Sequence, residues 1–185
     1  MKLGIISDTH IPDRARRLHP KVLPLFREAG VSAILHAGDV SSPGVLKQLG
    51  EVAPVVAVRG NRDWVLMRRL PLIQQLTFGS ISIVLTHGHG RWQEYLLDKA
   101  DYLLNGYHQE RFQNRLLAAF PAPRVIVFGH THRPLNLWVG EQLLFNPGSP
   151  HFSDHNSLAL SIGLIHLSAE GEVKGEVIRL DTGRD

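Results

Sequence analysis

Seven side chains that can bind a metal ion lie just beyond short apolar runs of this sequence. They are Asp8, His10, Asp39, Asn61, His87, His130 and His132. Each of the five preceding runs has the length and the valine and isoleucine content of a buried strand. In an open α/β sheet, ligands bind beyond the carboxyl ends of the strands, so we expect the five loops to meet at one place. The sequence therefore predicts a single site built from nitrogen and oxygen donors.

The individual motifs differ in strength. Gly-Asp and Gly-Asn pairs are common in turns, so Asp39 and Asn61 alone indicate little. The two histidine pairs spaced by one residue are stronger, because such pairs at a strand end rarely serve packing. They are His87 with His89, and His130 with His132. Metal binding is favoured over a structural role because all five motifs occupy the same position relative to a strand.

The donor set also indicates which ions the site would take. Seven donors exceed the four ligands of a tetrahedral ion, which favours two ions that share a bridging carboxylate. Mixed imidazole and carboxylate ligands favour Mn, Fe, Zn, Co or Ni over Ca or Mg. We expect two divalent transition metal ions, with manganese first among them. The absence of cysteine excludes thiolate-bound zinc, iron–sulfur clusters and a thiolate nucleophile.

The apolar runs indicate the elements that position these loops. Five predicted strands precede the donors: Lys2–Ser7, Ala33–Ala37, Pro54–Val58, Ile81–Thr86 and Val125–Gly129. Their almost continuous hydrophobicity is typical of strands buried on both faces of a sheet. Helices are predicted over Pro20–Ala29 and Pro43–Leu49, each of which is followed by a glycine. The longer segment Trp92–Phe120 is predicted to form two helices that break near Asn105-Gly106.

The second half of the chain has a different pattern. Strands are predicted over Gln142–Phe145, Leu158–Leu167 and Val173–Leu180, with a hairpin turn at Ala169-Glu170-Gly171. Alternating strands and helices followed by strands indicate an α/β fold, with a two-layer β-sheet sandwich flanked by helices. The length of 185 residues fits one domain, which is predicted to span residues 1–185.

The ordered motifs resemble those of the calcineurin-like metallophosphoesterases. The five that match the family in order and spacing are Asp8-x-His10, Gly38-Asp39, Gly60-Asn61, His87-Gly88 and Gly129-His130-x-His132. The chain length and the Asn146-Pro147-Gly148-Ser149 segment look most like the small YfcE-like phosphodiesterase branch of the family. The resemblance implies the calcineurin-like fold and a dinuclear-metal hydrolase, with phosphodiesters as the expected substrate class.

The resemblance also implies how the donors divide between two ions. The first ion is expected on Asp8, His10, Asp39 and His132, and the second on Asp39, Asn61, His87 and His130. Asp39 is then the bridging carboxylate. The family's mechanism is in-line attack on phosphorus by a metal-bridging hydroxide. Elementary chemistry agrees with it, because metal coordination lowers the pKa of water from about 15.7 toward about 7.

One departure from the family's pattern concerns the proton donor. Many members carry Gly-Asn-His, whose histidine is thought to protonate the leaving oxygen, whereas this chain carries Gly60-Asn61-Arg62-Asp63. Arginine is not a general acid, because it keeps its proton. Arg62 is expected to steady phosphate charge in the transition state, with a solvated loop arginine as the alternative. With His89 as a candidate proton donor, the candidate catalytic residues are Asp39, Asn61, Arg62 and His89.

Other basic residues near the motifs are weaker candidates. The arginines that follow the same loops, and that together would form a positive mouth, are Arg14, Arg91 and Arg133. Each of them alone fits an ordinary surface charge. His36 lies within a predicted strand and is expected in the core or just behind the site, whereas His166 is expected to be structural. His151 and His155 are not expected to reach the site.

The composition limits the partners. Twenty Lys and Arg against 17 Asp and Glu give a net charge of +3, which neither argues for nucleic acid nor excludes it. No stretch approaches the roughly 20 apolar residues of a membrane span, and no secretory leader is visible. A cytoplasmic protein with a small phosphoester substrate is expected. Exposed apolar strands in the second half would allow a homodimer.

Two alternative functions stay open. The same metal site would suit a phosphomonoesterase or nucleotidase, or even thioester or amide hydrolysis. The other alternative is a non-catalytic metal-binding scaffold, because a eukaryotic retromer subunit resembles this family while serving as a docking surface. A scaffold has no reason to keep all seven donors, so their presence favours an enzyme.

Overall fold

The computed structural model describes residues 1–63, 67–90, 109–151 and 160–180. The first sheet contains β1 (Lys2–Ile6), β2 (Ala33–His36), β3 (Val55–Ala57), β9 (Ser161–Leu167) and β10 (Val173–Arg179), in the order β10-β9-β1-β2-β3. The second sheet contains β4 (Ile73–Phe78), β5 (Ile81–Thr86), β6 (Val125–Val127), β7 (Leu135–Val139) and β8 (Gln142–Asn146), in the order β4-β5-β6-β8-β7. The helices within these ranges are α1 (Val22–Ala29), α2 (Pro43–Gly50) and α3 (Gln109–Ala119).

Both sheets contain a parallel group of strands. In the first sheet β1, β2 and β3 run parallel, with Leu35 between Ile5 and Val56. In the second sheet β5, β6 and β8 run parallel, with Val84 beside Ile126. The other strands pair in the antiparallel sense. Because parallel strands end at the same edge of a sheet, the loops after β1, β2 and β3 share one edge, as do those after β5 and β6.

Apolar side chains pack in three layers. The layer between the sheets includes Leu3, Ile5 and Leu35 from the first sheet and Leu85, Val127 and Phe145 from the second. On the outer face of the first sheet, Phe26 of α1 and Leu49 of α2 pack with Ile34. On the outer face of the second sheet, Leu116 of α3 packs with Ile126. Burial on both faces explains why the strand sequences are almost continuously apolar.

A buried aromatic ring brings the two sheets close together. Phe145 of β8 has no exposed surface, and its ring fills the space that a Cβ would need at Gly163 of β9 and Gly175 of β10. Asn136 of β7 donates a hydrogen bond from Nδ2 to the carbonyl of Gly175 at 2.8 Å. The two sheets are therefore joined along the edge formed by β7 and β10.

Sequence signals set the ends of the first two helices. α1 ends at Gly30, whose φ of 63° is left-handed and whose N–H donates to the carbonyls of Phe26 and Arg27. α2 begins after Ser42, whose side chain accepts a hydrogen bond from the N–H of Gly44 at 3.2 Å. Within the described residues, no helix is both long enough and apolar enough to cross a membrane.

The structure confirms the predicted two-layer sandwich, with shifts of a few residues at the ends of the predicted elements. The second helix of Trp92–Phe120 is α3, and Phe112, Leu116 and the adjoining Phe120 share one apolar cluster. The first predicted helix of that segment lies outside the described residues. The turn that ends at Gly171 is also confirmed, since its N–H donates to the carbonyl of Ser168 and β9 pairs with β10.

Two strands at the edges of the second sheet are not predicted from the sequence. β4 alternates exposed and half-buried residues, and its Ile73 is 45% exposed. β7 has a similar pattern, with Trp138 40% exposed. Edge strands bury less than central strands, so they lack the continuous apolar run that reveals the others.

Candidate metal centre

The structure places all seven predicted donors at one end of the sandwich. Asp8 and His10 follow β1, Asp39 follows β2 and Asn61 follows β3 in the first sheet. The donors that follow β5 and β6 of the second sheet are His87, His130 and His132. The centre therefore lies where the carboxyl ends of two groups of parallel strands face each other.

The first donor cluster is formed by Asp8, His10 and His132. Oδ1 of Asp8 lies 3.4 Å from Nε2 of His132 and 3.8 Å from Nε2 of His10. The two Nε2 atoms are 3.2 Å apart, and the rings stack with centroids separated by 5.1 Å. Three donor atoms thus converge on one small volume from loops that are more than 120 residues apart in sequence.

The second donor cluster is formed by Asp8, Asp39 and His87. Oδ2 of Asp39 lies 3.6 Å from Nε2 of His87 and 3.7 Å from Nε2 of His10. The Asp39 carboxylate therefore reaches one imidazole of each cluster. Oδ1 of Asp8 is 4.0 Å from Nε2 of His87, so both carboxylates lie between the two groups of histidines.

Asn61 and His130 extend the second cluster. Oδ1 of Asn61 lies 3.0 Å from Nε2 of His87 and 3.0 Å from Nδ1 of His130. The His87 and His130 rings meet nearly at right angles, with centroids 5.1 Å apart. One amide oxygen and two imidazole nitrogens thus share a site beside Asp39.

The chemistry of these atoms fits a bound cation. Oδ1 of Asp8 is buried and has no hydrogen-bond partner among the described residues. A buried carboxylate oxygen without a partner is costly unless an ion or another polar group satisfies it. The His87 ring donates from Nδ1 to the carbonyl of Ala37 at 2.7 Å, which fixes the ring's orientation and directs Nε2 toward Asp39.

Burial and neighbouring charges shift the pKa values of the donors. Burial opposes ionisation of Asp8, but the charge of His132 and its neighbours holds the pKa of Asp8 well below its ordinary value. Burial likewise opposes ionisation of Asp39, yet His87 lowers the pKa of Asp39 to about 2. Although burial alone would lower it, the pKa of His87 is raised to about 9 by Asp39. Burial lowers the pKa of His130 to about 3. Both carboxylates are thus ionised at neutral pH, as metal ligands must be.

Five of the donors have left-handed backbone conformations. The φ angles are 54° at Asp8, 47° at His10, 53° at Asp39, 69° at His130 and 56° at His132. Such conformations are uncommon outside glycine, and each costs on the order of 1–3 kcal/mol unless its surroundings enforce it. Because the strained residues are the candidate donors, the strain indicates that these loops form a binding site and do not merely connect one element to the next.

A buried carboxylate that sequence reasoning missed holds the first-sheet loops in place. Asp63 accepts hydrogen bonds from the N–H groups of Val40 at 3.2 Å, Ser41 at 2.7 Å and Gly60 at 2.8 Å. It thereby ties the loop that carries Asp39 to the loop that carries Asn61. Its position two residues after Asn61, in the Gly-Asn-Arg-Asp motif, is the sequence feature that could have pointed to Asp63.

The close approach of these two loops requires glycine. A Cβ at Gly60 would overlap both Oδ1 and the backbone nitrogen of Asp39. Oδ1 of Asp39 instead accepts a hydrogen bond from the backbone N–H of Arg62 at 2.8 Å. One oxygen of the Asp39 carboxylate, Oδ1, is therefore held by a backbone N–H group. The other oxygen, Oδ2, faces the histidines.

The Asn146–Ser149 segment links the second sheet to the Asp8 loop. Asn146 donates from Nδ2 to the carbonyl of Gly129 at 2.9 Å. Ser149 donates from Oγ to the carbonyl of Asp8 at 2.9 Å, and Ser7 donates from Oγ to the carbonyl of Gly148 at 2.8 Å. The segment thus ties the Asp8 loop to the loop that follows β6.

His36 lies in the core directly behind the centre, as predicted. It has no exposed surface, and its Nε2 lies 3.1 Å from Oγ1 of Thr9. Oγ1 of Thr9 donates in turn to the carbonyl of Val40 at 3.2 Å. Burial lowers the pKa of His36 to about 3. A neutral His36 therefore helps to connect the loops after β1 and β2.

Arg62 and His89, the candidate catalytic side chains, occupy different surroundings. The Arg62 guanidinium is 39% exposed and pairs with Asp13, with Nη1 2.6 Å from Oδ2. His89 is buried, and its ring centroid lies 5.3 Å from that of His87 and 6.3 Å from that of His130. Burial lowers the pKa of His89 to about 4. Both catalytic roles stay predictions, and Arg91 lies outside the described residues.

The expectation that His151 does not reach the centre is wrong. Its ring centroid lies 5.2 Å from that of His10 and 6.1 Å from that of His132. Ser149, two residues earlier, fixes the approach of this loop through its bond to Asp8. Sequence reasoning could not foresee this, because the approach depends on the packing of a loop against residues about 140 positions away. His155 lies outside the described residues, and His166 pairs with Glu176 on the surface, consistent with a structural role.

Helix α3 forms one wall of the centre, which the sequence did not indicate. The Phe112 ring stacks beside that of His130, with centroids 6.2 Å apart and planes at 24°. Arg115 lies over the Phe112 ring at 4.9 Å and donates to the carbonyl of Gly88 at 2.9 Å. The second half of the Trp92–Phe120 segment therefore contacts both histidine loops of the second sheet.

Comparisons with known proteins agree with this geometry. A profile of the calcineurin-like phosphoesterase superfamily domain matches residues 1–170. A probable metallophosphoesterase of Methanothermobacter thermautotrophicus is 35% identical over 173 residues, which cover 92% of this chain and 91% of that protein. The phosphodiesterase YfcE of Escherichia coli K12 is 34% identical over 165 residues, covering 80% of this chain and 79% of that protein.

Solved structures show the same architecture. A crystal structure of a single mutant of Vps29 from Entamoeba histolytica matches with a TM-score of 0.72 and 20% identity, covering 98% of this chain and 100% of that chain. At that identity the match supports the fold alone. The sequence profile and the relatives span most of the residues and include the donor loops, and the chain belongs to the calcineurin-like phosphoesterase superfamily.

Proposed function

We propose that this protein is a dinuclear-metal phosphodiesterase. The observation that carries the proposal is a pair of donor clusters that share Asp8. Within each cluster, the candidate ligand atoms lie within 4.8 Å of one another. Two adjoining clusters of imidazole and carboxylate suit two divalent cations rather than one. The similarity to a probable metallophosphoesterase and to a phosphodiesterase supports the choice of reaction.

The donors would divide between two ions as the family's pattern implies. Asp8, His10, Asp39 and His132 would hold the first ion, and Asp39, Asn61, His87 and His130 the second. Asp39 is assigned the bridging role because its Oδ2 reaches His10 at 3.7 Å and His87 at 3.6 Å. When bound, the ions lower the pKa of water and offset the negative charge of the phosphoryl group. The mixed ligands support manganese as the ion to load first.

The side chains of the centre define what the protein itself would contribute. The chain has no cysteine, and the family's mechanism uses a metal-activated water, so water is assigned as the nucleophile. The buried carboxylates would hold the ions in place, and the imidazoles would complete their coordination. His89 lies beside His87 and His130, within reach of a leaving oxygen on that side.

Replacement of Asp39 tests the proposal directly. Wild-type protein loaded with Mn²⁺ should hydrolyse bis-p-nitrophenyl phosphate faster than p-nitrophenyl phosphate. D39N should lower kcat/KM by more than about 100-fold. A loss of about 100-fold is the most expected when the replaced residue only supports the metal ligands. Its thermal unfolding should remain cooperative. The control is E141Q, because Glu141 is 95% exposed and pairs only with Arg124 among the described residues.

The outcomes separate the alternative functions. Faster hydrolysis of the monoester would make the protein a phosphomonoesterase or nucleotidase. If D39N kept the activity of the wild-type protein, that result would contradict the metal mechanism. A purified wild-type protein that binds almost no transition metal after reloading, as measured by elemental analysis, would instead favour a scaffold.

A further inference from the structure

His151 stands beside the first donor cluster without belonging to it. Its ring lies nearly perpendicular to those of His10 and His132, at 85° and 81°. Among the described residues, the clusters of donor atoms within 4.8 Å of one another do not include His151. The ring is therefore close enough to contact a group held at the cluster, yet set back from the ligand atoms themselves.

The backbone before His151 is tied to the centre. Ser149 donates from Oγ to the Asp8 carbonyl at 2.9 Å and accepts from the His151 N–H at 3.4 Å. The same segment is anchored by the bond from Ser7 to Gly148. Because these bonds fix the loop relative to Asp8, the His151 ring is positioned by the same contacts that position a metal ligand.

The two predicted catalytic side chains have other surroundings. The Arg62 guanidinium pairs with Asp13, with Nη1 2.6 Å from Oδ2. His89 lies on the side of His87 and His130. His151 instead lies beside His10 and His132 of the first donor cluster.

From this placement we propose that His151 is a substrate-binding residue. Its ring N–H donates a hydrogen bond to a non-bridging oxygen of the phosphoryl group at the first donor cluster. A neutral imidazole always carries one N–H, so the contact needs no change of protonation. The ligand class is a phosphate ester or inorganic phosphate. The inference rests on the proposed function, since it assumes that a phosphoryl group occupies the centre.

The test compares H151A with H151Q in the full chain loaded with Mn²⁺. H151A removes the donor, whereas the H151Q side-chain amide keeps an N–H near the same position. The readouts are the Kd for inorganic phosphate, the number of Mn²⁺ ions bound per chain, and kcat and KM for bis-p-nitrophenyl phosphate. H166Q is the matched control, because His166 pairs with Glu176 on the surface.

H151A should weaken phosphate binding about tenfold or more, as expected for the loss of one hydrogen bond to a charged group. H151Q should recover part of that affinity, the KM should rise more than kcat falls, and Mn²⁺ binding should match wild type. Wild-type phosphate affinity in H151A would overturn the inference. So would the loss of one Mn²⁺ ion per chain in both variants, because His151 would then be a metal ligand.

The same measurements keep this inference apart from the proposed function. If wild-type protein binds phosphate but hydrolyses no phosphoester, the proposed function fails, and the phosphate affinity of H151A still decides the role of His151. If wild-type protein hydrolyses the diester and H151A binds phosphate normally, the proposed function stands and the role of His151 fails.

Discussion

The two sheets contribute different chemistry to the same centre. Loops of the first sheet supply both carboxylates and the amide, from Asp8, Asp39 and Asn61, with a single histidine, His10. Loops of the second sheet supply only imidazoles. The carboxylates thus come from one layer of the sandwich and most of the imidazole nitrogens from the other. The centre is complete only when the two layers are packed together.

The two groups of loops are also held in place differently. The first-sheet loops are tied to one another through Asp63, which binds backbone N–H groups of both. The second-sheet histidines are oriented by atoms of the first sheet. His87 donates to the carbonyl of Ala37, and the N–H of His130 donates to Oδ2 of Asp8. The carboxylate half is therefore internally braced, and the histidine half takes its orientation from it.

Loss of the Asp63 brace should produce the largest effect on this arrangement. In D63N one carboxylate oxygen becomes an NH₂ group that faces a backbone donor, so at least one buried N–H loses its acceptor. We expect kcat/KM to fall about 10- to 100-fold and the free energy of unfolding to fall by about 2 kcal/mol or more. Urea denaturation and Mn²⁺ titration provide the measurements.

The control for D63N is D13N, because Asp13 is 42% exposed and should change stability by less than about 1 kcal/mol. A D63N protein with normal stability and normal Mn²⁺ affinity would show that the first-sheet loops keep their positions without the brace. The proposed difference between the two sheets, in which only the first-sheet loops are tied to one another by Asp63, would then be wrong.

Acid should destabilise the protein through His36. The pKa of His36 is lowered from 6.5 to about 3, so the folded state keeps this ring neutral while the unfolded chain takes up a proton. The stabilising effect is complete above pH 6.5 and is lost as the pH falls toward 3. Between pH 7.5 and pH 5 we expect wild type to lose about 2 kcal/mol from this group, at 1.36 kcal/mol for each unit below the unfolded pKa.

The comparison with H36Q isolates this effect, because the other histidines titrate in both proteins. Among them His87, with its pKa raised to about 9, contributes in the opposite sense, since its stabilisation is complete below pH 6.5 and is lost as the pH rises through 9. Urea unfolding of the metal-free proteins at pH 7.5, 6 and 5 should show a steeper loss for wild type than for H36Q. Parallel curves would contradict the prediction.

The smallest effect is expected for Arg62. Its exposed pair with Asp13 should contribute less than about 1 kcal/mol to stability. Because the guanidinium is already engaged, R62A should lower kcat/KM by less than about tenfold. A loss of about 10²–10³ would instead be typical of a donor that stabilises charge in the transition state. Steady-state kinetics on the diester distinguish the two roles, and the larger loss would show that the first sheet also supplies positive charge.

The sequence predicts those features of the fold and of the site that depend on residues close to one another in the chain. The donors after β1, β2, β3, β5 and β6 were predicted because a buried parallel strand and its loop residue are neighbours in sequence. The edge strands β4 and β7 were not, because alternating half-exposed residues give a weak pattern. Asp63 and His151 acquire their importance from contacts between distant loops, and no local pattern contains that information.

The bonds that join Ser7 to Gly148 and Ser149 to Asp8 each span 141 positions of the chain. During synthesis, Asp8 therefore leaves the ribosome long before the segment that anchors its loop has been made. Contacts of such high sequence separation form slowly and late in folding. A nascent chain that ends before residue 146 carries the Asp8 loop without this anchor. If the centre binds metal as proposed, uptake should appear only once nearly the whole polypeptide has folded, which would make it a late marker of maturation.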